Sequence, residues 1–338
     1  MSAFKAAPPP SFEASPEAND GGPRLPAWAS GAAKTANRVA SSKVARAITT
    51  VAILAIAALL IRGELKTARF SDITHAIAAT PPWAIAACAA CTAATYLCEA
   101  VLEWHVLKFI GKPLKFGRTV LAASGSSALS IAMGFGIASG TAARLRFYAF
   151  AQLSAADVAK VTALVSGAIF LAGLTALGLS GFGGLSTIGA ILHWPSWAVA
   201  ILSAVLLAVA PGWFLVLRRF RGKDPGAMGG RGRAITLAAG VGNWLFQGAA
   251  LFMLSAHHLG DFPGFFAAFT LASLFGSALG VPADLGVLEA LVMGSHALGS
   301  PHQAAAALVL FRVIFQVIPL TIASLAVCGR PLAKLVGR

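Results

Sequence analysis

The sequence predicts an all-α, polytopic integral membrane protein with about six to eight membrane segments and two opposed re-entrant hairpins. Three observations carry this. Hydrophobic residues make up 57% of the chain and charged residues 11%, against roughly 25% charged in an ordinary globular domain. The charges are segregated into short clusters between long uncharged stretches. Those stretches reach the roughly 20 apolar residues that a helix needs to cross a bilayer. They lack the polar/apolar alternation of a spanning β-barrel, and in lipid only a helix satisfies its own backbone within one segment.

The net charge of +14 raises the question of nucleic acid, but the basic residues flank apolar segments and form no stripe with interleaved aromatics. No nucleic-acid partner is expected. A basic rim instead fits the cytoplasmic bias of Lys and Arg in membrane proteins.

In chain order, residues 1–46 are rich in Pro, Ala, Ser and Gly and read as a disordered cytoplasmic tail. The membrane domain is placed at 47–330, followed by a basic cytoplasmic C-terminus, 331–338. Its first anchor is the short run 47–61. A signal peptide is the rival reading, but the leader is long and no small-residue cleavage site follows. Further apolar segments lie near 82–107, 117–139, 161–181, 196–217, 234–256, 263–282, 285–298 and 303–328.

The loops set the topology. Lys108, Lys112, Lys115 and Arg118 occupy one, Arg144, Arg146 and Lys160 the next, and Arg218, Arg219, Arg221, Lys223, Arg231 and Arg233 a third. With the two termini these are expected on the cytoplasmic side of a bacterial inner membrane. The uncharged stretch 182–195 and the stretch 257–262 are expected outside, and parity places 62–81 there too. Segment 117–139 then begins and ends on the same side, yet is too short to cross twice. Its Ser124-Gly125-Ser126-Ser127-Ala128 and Gly134-Phe135-Gly136 suit a re-entrant hairpin. The alternative is a full crossing with Arg144 and Arg146 outside, compensated by a second crossing around 182–194. A second interruption, Gly280-Val281-Pro282-Ala283-Asp284-Leu285-Gly286, breaks 263–298. Three full spans or a re-entrant pair before the 303–328 helix both satisfy parity, and the short second stretch favours the pair, entering from the opposite side. Interrupted segments in two halves point to an inverted repeat with a binding site where they meet.

Ionisable residues at membrane depth cost about 2.5–3.5 kcal/mol on insertion scales and so need a reason. Arg312 lies well inside the last segment, with Gln316 one turn later on the same face. Asp284 and Glu289 precede it beside the helix break. They are expected either to line a polar cavity with Arg312 or merely to pair and fix the hairpin. Glu99 and Glu103 are spaced i,i+4 in segment 82–107. Glu103 lies near the basic end beside Trp104, His105 and Lys108, where solvation or pairing is expected, and Glu99 lies deeper. Asn243 and Gln247 share a face suited to interhelical hydrogen bonds. Arg144, Arg146 and Tyr148 follow the first hairpin, as topological anchors or as a phosphate fork.

Cys88 and Cys91 sit in an apolar segment without further ligands and read as small filler. No nucleotide-binding, hydrolase or metal motif occurs, so neither cofactor nor metal is expected.

Three motifs in register resemble the lysylphosphatidylglycerol synthase transmembrane (flippase-type) family. The stretch Gly140 to Tyr148, followed by Gln152-Leu153-Ser154-Ala155-Ala156-Asp157, resembles its Arg-x-Arg-x-Tyr and Gly-Leu-Ser segments. Gly280 through Ala290 is similar to its Pro-Gly-Gly-Leu-Gly-Val-x-Glu segment, and Phe311-Arg312 with Pro319 to its Tyr-Arg…Pro pattern. Ala283-Asp284 stands where the family usually has Gly-Gly, and Gln152 replaces a Gly. The resemblance covers about residues 47–330 and implies binding or translocation of a polar or charged lipid. The residues expected to bind the lipid or line its cavity are Arg144, Arg146, Tyr148, Pro282, Asp284, Gly286, Glu289, Arg312 and Gln316. The soluble aminoacyl-transferase domain of longer members is not expected here, so no synthase activity carries over. The competing reading is a non-transporting scaffold for a lipid-modifying, hopanoid-pathway or glycosyl-transferring enzyme. A membrane enzyme using Asp284 or Glu289 as a base lacks a second catalytic group. Self-association into a homo-oligomer is left open.

Overall fold

The computed structural model describes residues 75, 77–133, 136–148, 153–219, 229–255, 262–279, 287–288 and 301–322. These residues are all-α. Nine helices order themselves along the described chain: α1 Pro82–Phe109, α2 Phe116–Met133, α3 Gly136–Phe147, α4 Ala155–Gly183, α5 Leu185–Leu192, α6 Ser196–Arg219, α7 Gly230–Phe252, α8 Phe262–Leu279 and α9 Pro301–Arg312. Helix α9 continues through a π-helical turn, Val313–Val317, and the described helical run reaches Ile322. Four helices are long and apolar enough to cross a membrane: α1, α4, α7 and Gln303–Ile322. A fifth is added if α5 and the first part of α6, bent by 106°, form one span. This is the helix pattern of a multi-pass membrane protein. The tail 1–46, the anchor 47–61 and the C-terminal residues 331–338 lie outside the described residues.

Local sequence explains the ends. Pro81 and Pro82 start α1, where a proline costs no hydrogen bond. Ser154 and Asp157 form a capping box at the start of α4, each side chain bonding the other's backbone N–H. The uncharged stretch after α4, expected as a loop, instead contains helix α5. Its apolar residues Ile188 and Gly189 are buried, and His193 in the left-handed conformation (φ 54°, ψ 37°) closes it.

Segment 117–139 folds as the pair α2 and α3. Gly125 lies against the ring of Phe147, and a Cβ on Gly140 would sit 3.3 Å from Ser130 Oγ. Residues roughly equidistant from 135–136 therefore meet, so the pair is an antiparallel helical hairpin whose two outer ends lie together. Neither helix is among those suited to cross alone.

Directions follow from contacts. Lys112, just beyond α1, pairs with Asp157 at the start of α4 (3.7 Å), so α1 and α4 run antiparallel. Asn243 Nδ2 donates to Thr95 O (3.2 Å), and Gly242 lies beside Cys98 and Gly240 beside Leu102. Helix α7 is thus antiparallel to α1. Gly264 abuts Thr187, whereas Leu274 reaches Gly173, so α8 starts at the far end of α4 and points back into the bundle. One end of the bundle carries the exposed Trp83, Trp194 and Trp197. The other carries Lys108, Lys112, Lys115, Arg118, Arg231 and Arg233, with Lys108 Nζ 3.1 Å over the Trp104 ring.

Small residues set the helix spacing, as expected where lipid supplies no hydrophobic drive between helices. At the crossing of α4 and α7, a Cβ on Gly240 would fall 2.6 Å from Ala172 Cβ. At the crossing of α4 and α6, a Cβ on Gly178 would lie 2.9 Å from the backbone oxygen of Ser203. Backbone cannot rotate aside as a side chain can. Gly178→Ala is therefore expected to cost about 1–3 kcal/mol by overpacking, read as a lower melting temperature of the detergent-solubilised protein. A phenylalanine stack fills the layer between α7, α8 and α9: Phe252, Phe265, Phe269, Phe311 and Phe315 follow one another at ring-centroid spacings of 4.9–6.5 Å. Tyr96 of α1 stacks on Phe315 and donates its hydroxyl to Phe315 O (3.0 Å), capping a carbonyl within the π turn.

Candidate functional site: a charged cluster on the wall of a cavity

Helix α1 turns Glu99 and Glu103 toward the hairpin, and α3 turns Arg144 and Tyr148 back toward α1. Each pair is spaced i,i+4, so each presents one helical face. Arg144 grips Glu103 with two parallel bonds, Nε to Oε1 at 3.0 Å and Nη2 to Oε2 at 2.9 Å. Tyr148 donates its hydroxyl to Glu103 Oε1 at 2.8 Å. Glu103 is fully buried, and Arg144 nearly so. The bidentate fork is the strong form of such a pair. In a dry interior it holds only because the remaining lone pairs are also satisfied.

Glu99 stands differently. Ser127 of α2 donates to its Oε1, and Arg144 Nη2 lies 3.9 Å away, an ion pair without a hydrogen bond. Two carboxylates thus share one guanidinium, and the cluster carries a formal charge of about −1 when both are ionised. Counted along α1, Glu99 lies about 24 Å from Trp83 and about 14 Å from Lys108. It is well inside the span.

The glycines of the hairpin allow this approach. At Gly140 a Cβ would come 3.2 Å from Arg144 Nη1 and 3.3 Å from Thr162 Cγ2, so a larger residue would push Arg144 or α4 aside. The Tyr148 bond is the simplest to remove. Tyr148→Phe is expected to cost about 1.5–3 kcal/mol, the value of a hydrogen bond to a charged group. It would show as a lower melting temperature with the helical circular dichroism intact.

Beside the cluster lies a cavity of about 530 Å³, within the range of small-molecule sites. Glu99, Ser127, Ser130, Arg144, Asn243, Gln247, Ser273, Ser277 and Gln316 supply its polar groups, and Tyr96, Phe170, Trp244, Phe269, Phe311 and Phe315 most of its aromatic wall. Ser130 and Ile131 bring the inner end of α2 to it, and Ser273, Ser277 and Ala278 the inner end of α8. These two elements enter from opposite ends of the bundle and meet at the cavity. Three buried polar atoms on its wall, Ser130 Oγ, Ser273 Oγ and Gln316 Oε1, have no hydrogen-bond partner among the described residues. Buried polar groups are nearly always paired.

The sequence-predicted residues fall into three groups. Arg144 and Gln316 line the cavity, and Tyr148 braces Arg144's partner. Arg312 is 1% exposed, one turn before Gln316, between the wall residues Phe311 and Phe315. Arg146 lies in α3, its side chain outside the description. Pro282, Asp284, Gly286 and Glu289 lie outside the described residues, as does any pairing of Arg312 with those carboxylates. Leu288, next to Glu289, is buried on the cavity wall. Asn243 makes the interhelical bond expected of it.

Sequence reasoning gave too little weight to Glu103 and Ser127. The spacing of Glu103 from Glu99 was a visible signal, but nothing in the sequence placed α3 over that face of α1. Among the described residues no group of three or more His, Cys, Asp or Glu side chains is arranged to hold a metal.

No family model matches the chain. It is similar to a protein of Synechocystis sp. (strain PCC 6803) described as "Uncharacterized protein slr0712". The two are 29% identical over 233 residues, which cover 64% of this chain and 70% of that protein.

Proposed function

We propose that the protein handles lipids in a bacterial inner membrane, binding a polar or charged headgroup in the central cavity and moving it between leaflets. One observation carries the reading: a cavity inside an apolar helix bundle has an aromatic wall, a fixed charge cluster and three buried polar atoms without a partner among the described residues. Such a lining suits an amphiphile, whose headgroup needs hydrogen-bond partners and whose chain needs none. The polar lining is rich in acceptors, which favours a headgroup that brings donors.

In this reading the α2–α3 hairpin is re-entrant from the cytoplasmic side, and α8 with the segment after it forms the opposed hairpin, within a total of about six to eight membrane segments. The basic end faces the cytoplasm with both termini, and the tryptophan end faces outward. The motifs around Arg144, Pro282 and Arg312 support membership of the lysylphosphatidylglycerol synthase transmembrane family.

The test is to purify the full chain in mild detergent and identify the lipids that stay with it by native mass spectrometry. The proposal expects one headgroup class retained well above its share of the membrane. Lipids retained only in membrane proportion would count against a cavity site and favour a scaffold for a lipid-modifying enzyme.

A further inference from the structure

The charge cluster contains one carboxylate more than its cation can serve. Arg144 spends two of its donors on Glu103 at 2.9 and 3.0 Å, and Tyr148 adds a third bond to that same carboxylate. Glu103 is sealed at 0% exposure and does not reach the cavity. Glu99 is the member left facing it, held by Ser127 and by a guanidinium already committed elsewhere. An ionised carboxylate without a full counter-charge is costly in a dry site. Two species can relieve that cost: a proton, or a donor group on whatever enters the cavity.

The other groups around Glu99 do not compete for this role. On its own helix stand Glu103 and Tyr96, the latter bonded to Phe315 O. The hairpin presents Ser127, Arg144 and Tyr148. Helix α7 presents Asn243 and Gln247, α4 presents Ser166, and the π turn presents Gln316, none of which titrates. Arg312, buried a turn before Gln316, is not on the cavity wall. Ser273 Oγ and Gln316 Oε1 on the same wall, without a partner among the described residues, independently point to a cavity that receives a polar group.

We propose that Glu99 is a proton-exchange site that couples headgroup binding to proton release. With no headgroup donor present the carboxylate takes one proton, which makes the cluster electroneutral. A donor-bearing headgroup displaces that proton to solution and takes its place on the carboxylate. Protonation and headgroup binding are therefore mutually exclusive at one oxygen pair, and acid opposes lipid movement. The coupling rests on the lipid-handling reading; the proton site itself does not.

Two measurements on the reconstituted full chain test it, using wild type, Glu99→Gln and Glu99→Asp. Gln keeps the acceptor for Ser127 but cannot ionise, and Asp keeps the carboxyl; each variant is first shown to run as one species in size-exclusion chromatography. Infrared difference spectra on acidification should show a protonated-carboxyl band in wild type and Glu99→Asp that is missing in Glu99→Gln. Movement of fluorescent lipids with anionic, cationic and glycosylated headgroups should slow by up to about tenfold per pH unit on the acid side in wild type. It should be slow and independent of pH in Glu99→Gln. A band that persists in Glu99→Gln overturns the proton site. Unchanged pH dependence of movement in Glu99→Gln overturns the coupling while leaving lipid movement intact. If wild type moves no lipid at any pH, the lipid-handling reading falls and takes the coupling with it, and the infrared band still decides whether Glu99 exchanges a proton.

Discussion

Arg144→Gln is expected to destabilise the protein by about 3–5 kcal/mol, because it removes the cation from a sealed pair and leaves a buried charge behind. Glu103 is fully enclosed and Arg144 is 3% exposed, so water cannot take over the lost bonds. The substitution leaves two carboxylates one helical turn apart with neutral donors alone, Tyr148, Ser127 and the shorter amide, and no counter-charge. Unfolding of the detergent-solubilised protein, followed by circular dichroism, should shift to markedly lower temperature. The double variant Arg144→Gln with Glu103→Gln removes both charges at once and should recover most of the loss, since neutral replacement of a buried pair is often tolerated. If the double variant is no better than the single, the ion pair is not what holds α3 against α1.

Ser273→Leu is expected to separate stability from function. Ser273 is 2% exposed on α8, lines the cavity, and its hydroxyl has no partner among the described residues. Removing an unpaired buried hydroxyl relieves a desolvation cost of about 1–3 kcal/mol, so the melting temperature should hold or rise. The added isobutyl group occupies part of the cavity and withdraws a headgroup partner. Lipid movement in proteoliposomes should therefore fall by at least about tenfold, the effect of one lost interaction of about 1.4 kcal/mol. A variant both stabler and equally active would show that Ser273 belongs to the packing alone.

Much of the architecture was legible because hydropathy and charge are set by single residues. Runs of uncharged apolar residues gave α1, α4, α7 and the last helix, and the basic clusters marked one end of the bundle. Parity of those clusters pointed to a turn back within 117–139, and glycines at 125 and 140 are the positions where the two arms of the hairpin approach. Helix α5 was foreseen only in the alternative that places a crossing around 182–194. An uncharged stretch between two apolar segments looks like a loop, and only its packing against α6 and α8 buries Ile188 and Gly189. Of the two readings of Glu103, solvation or pairing, the structure shows pairing, and the partner is Arg144 of the hairpin that covers that face of α1. Ser127 as the donor to Glu99 depends on the rotation of α2, which no periodicity in so Ala/Gly-rich a segment specifies.

The most direct test is leaflet-resolved lipid movement in proteoliposomes, wild type against Ser273→Leu, with headgroups of each charge class. Headgroup-selective movement by wild type, lost in a Ser273→Leu protein of equal or higher melting temperature, is the predicted result. A folded wild-type protein that moves none of these lipids, or a Ser273→Leu protein that moves them as fast, would contradict a lipid path through this cavity.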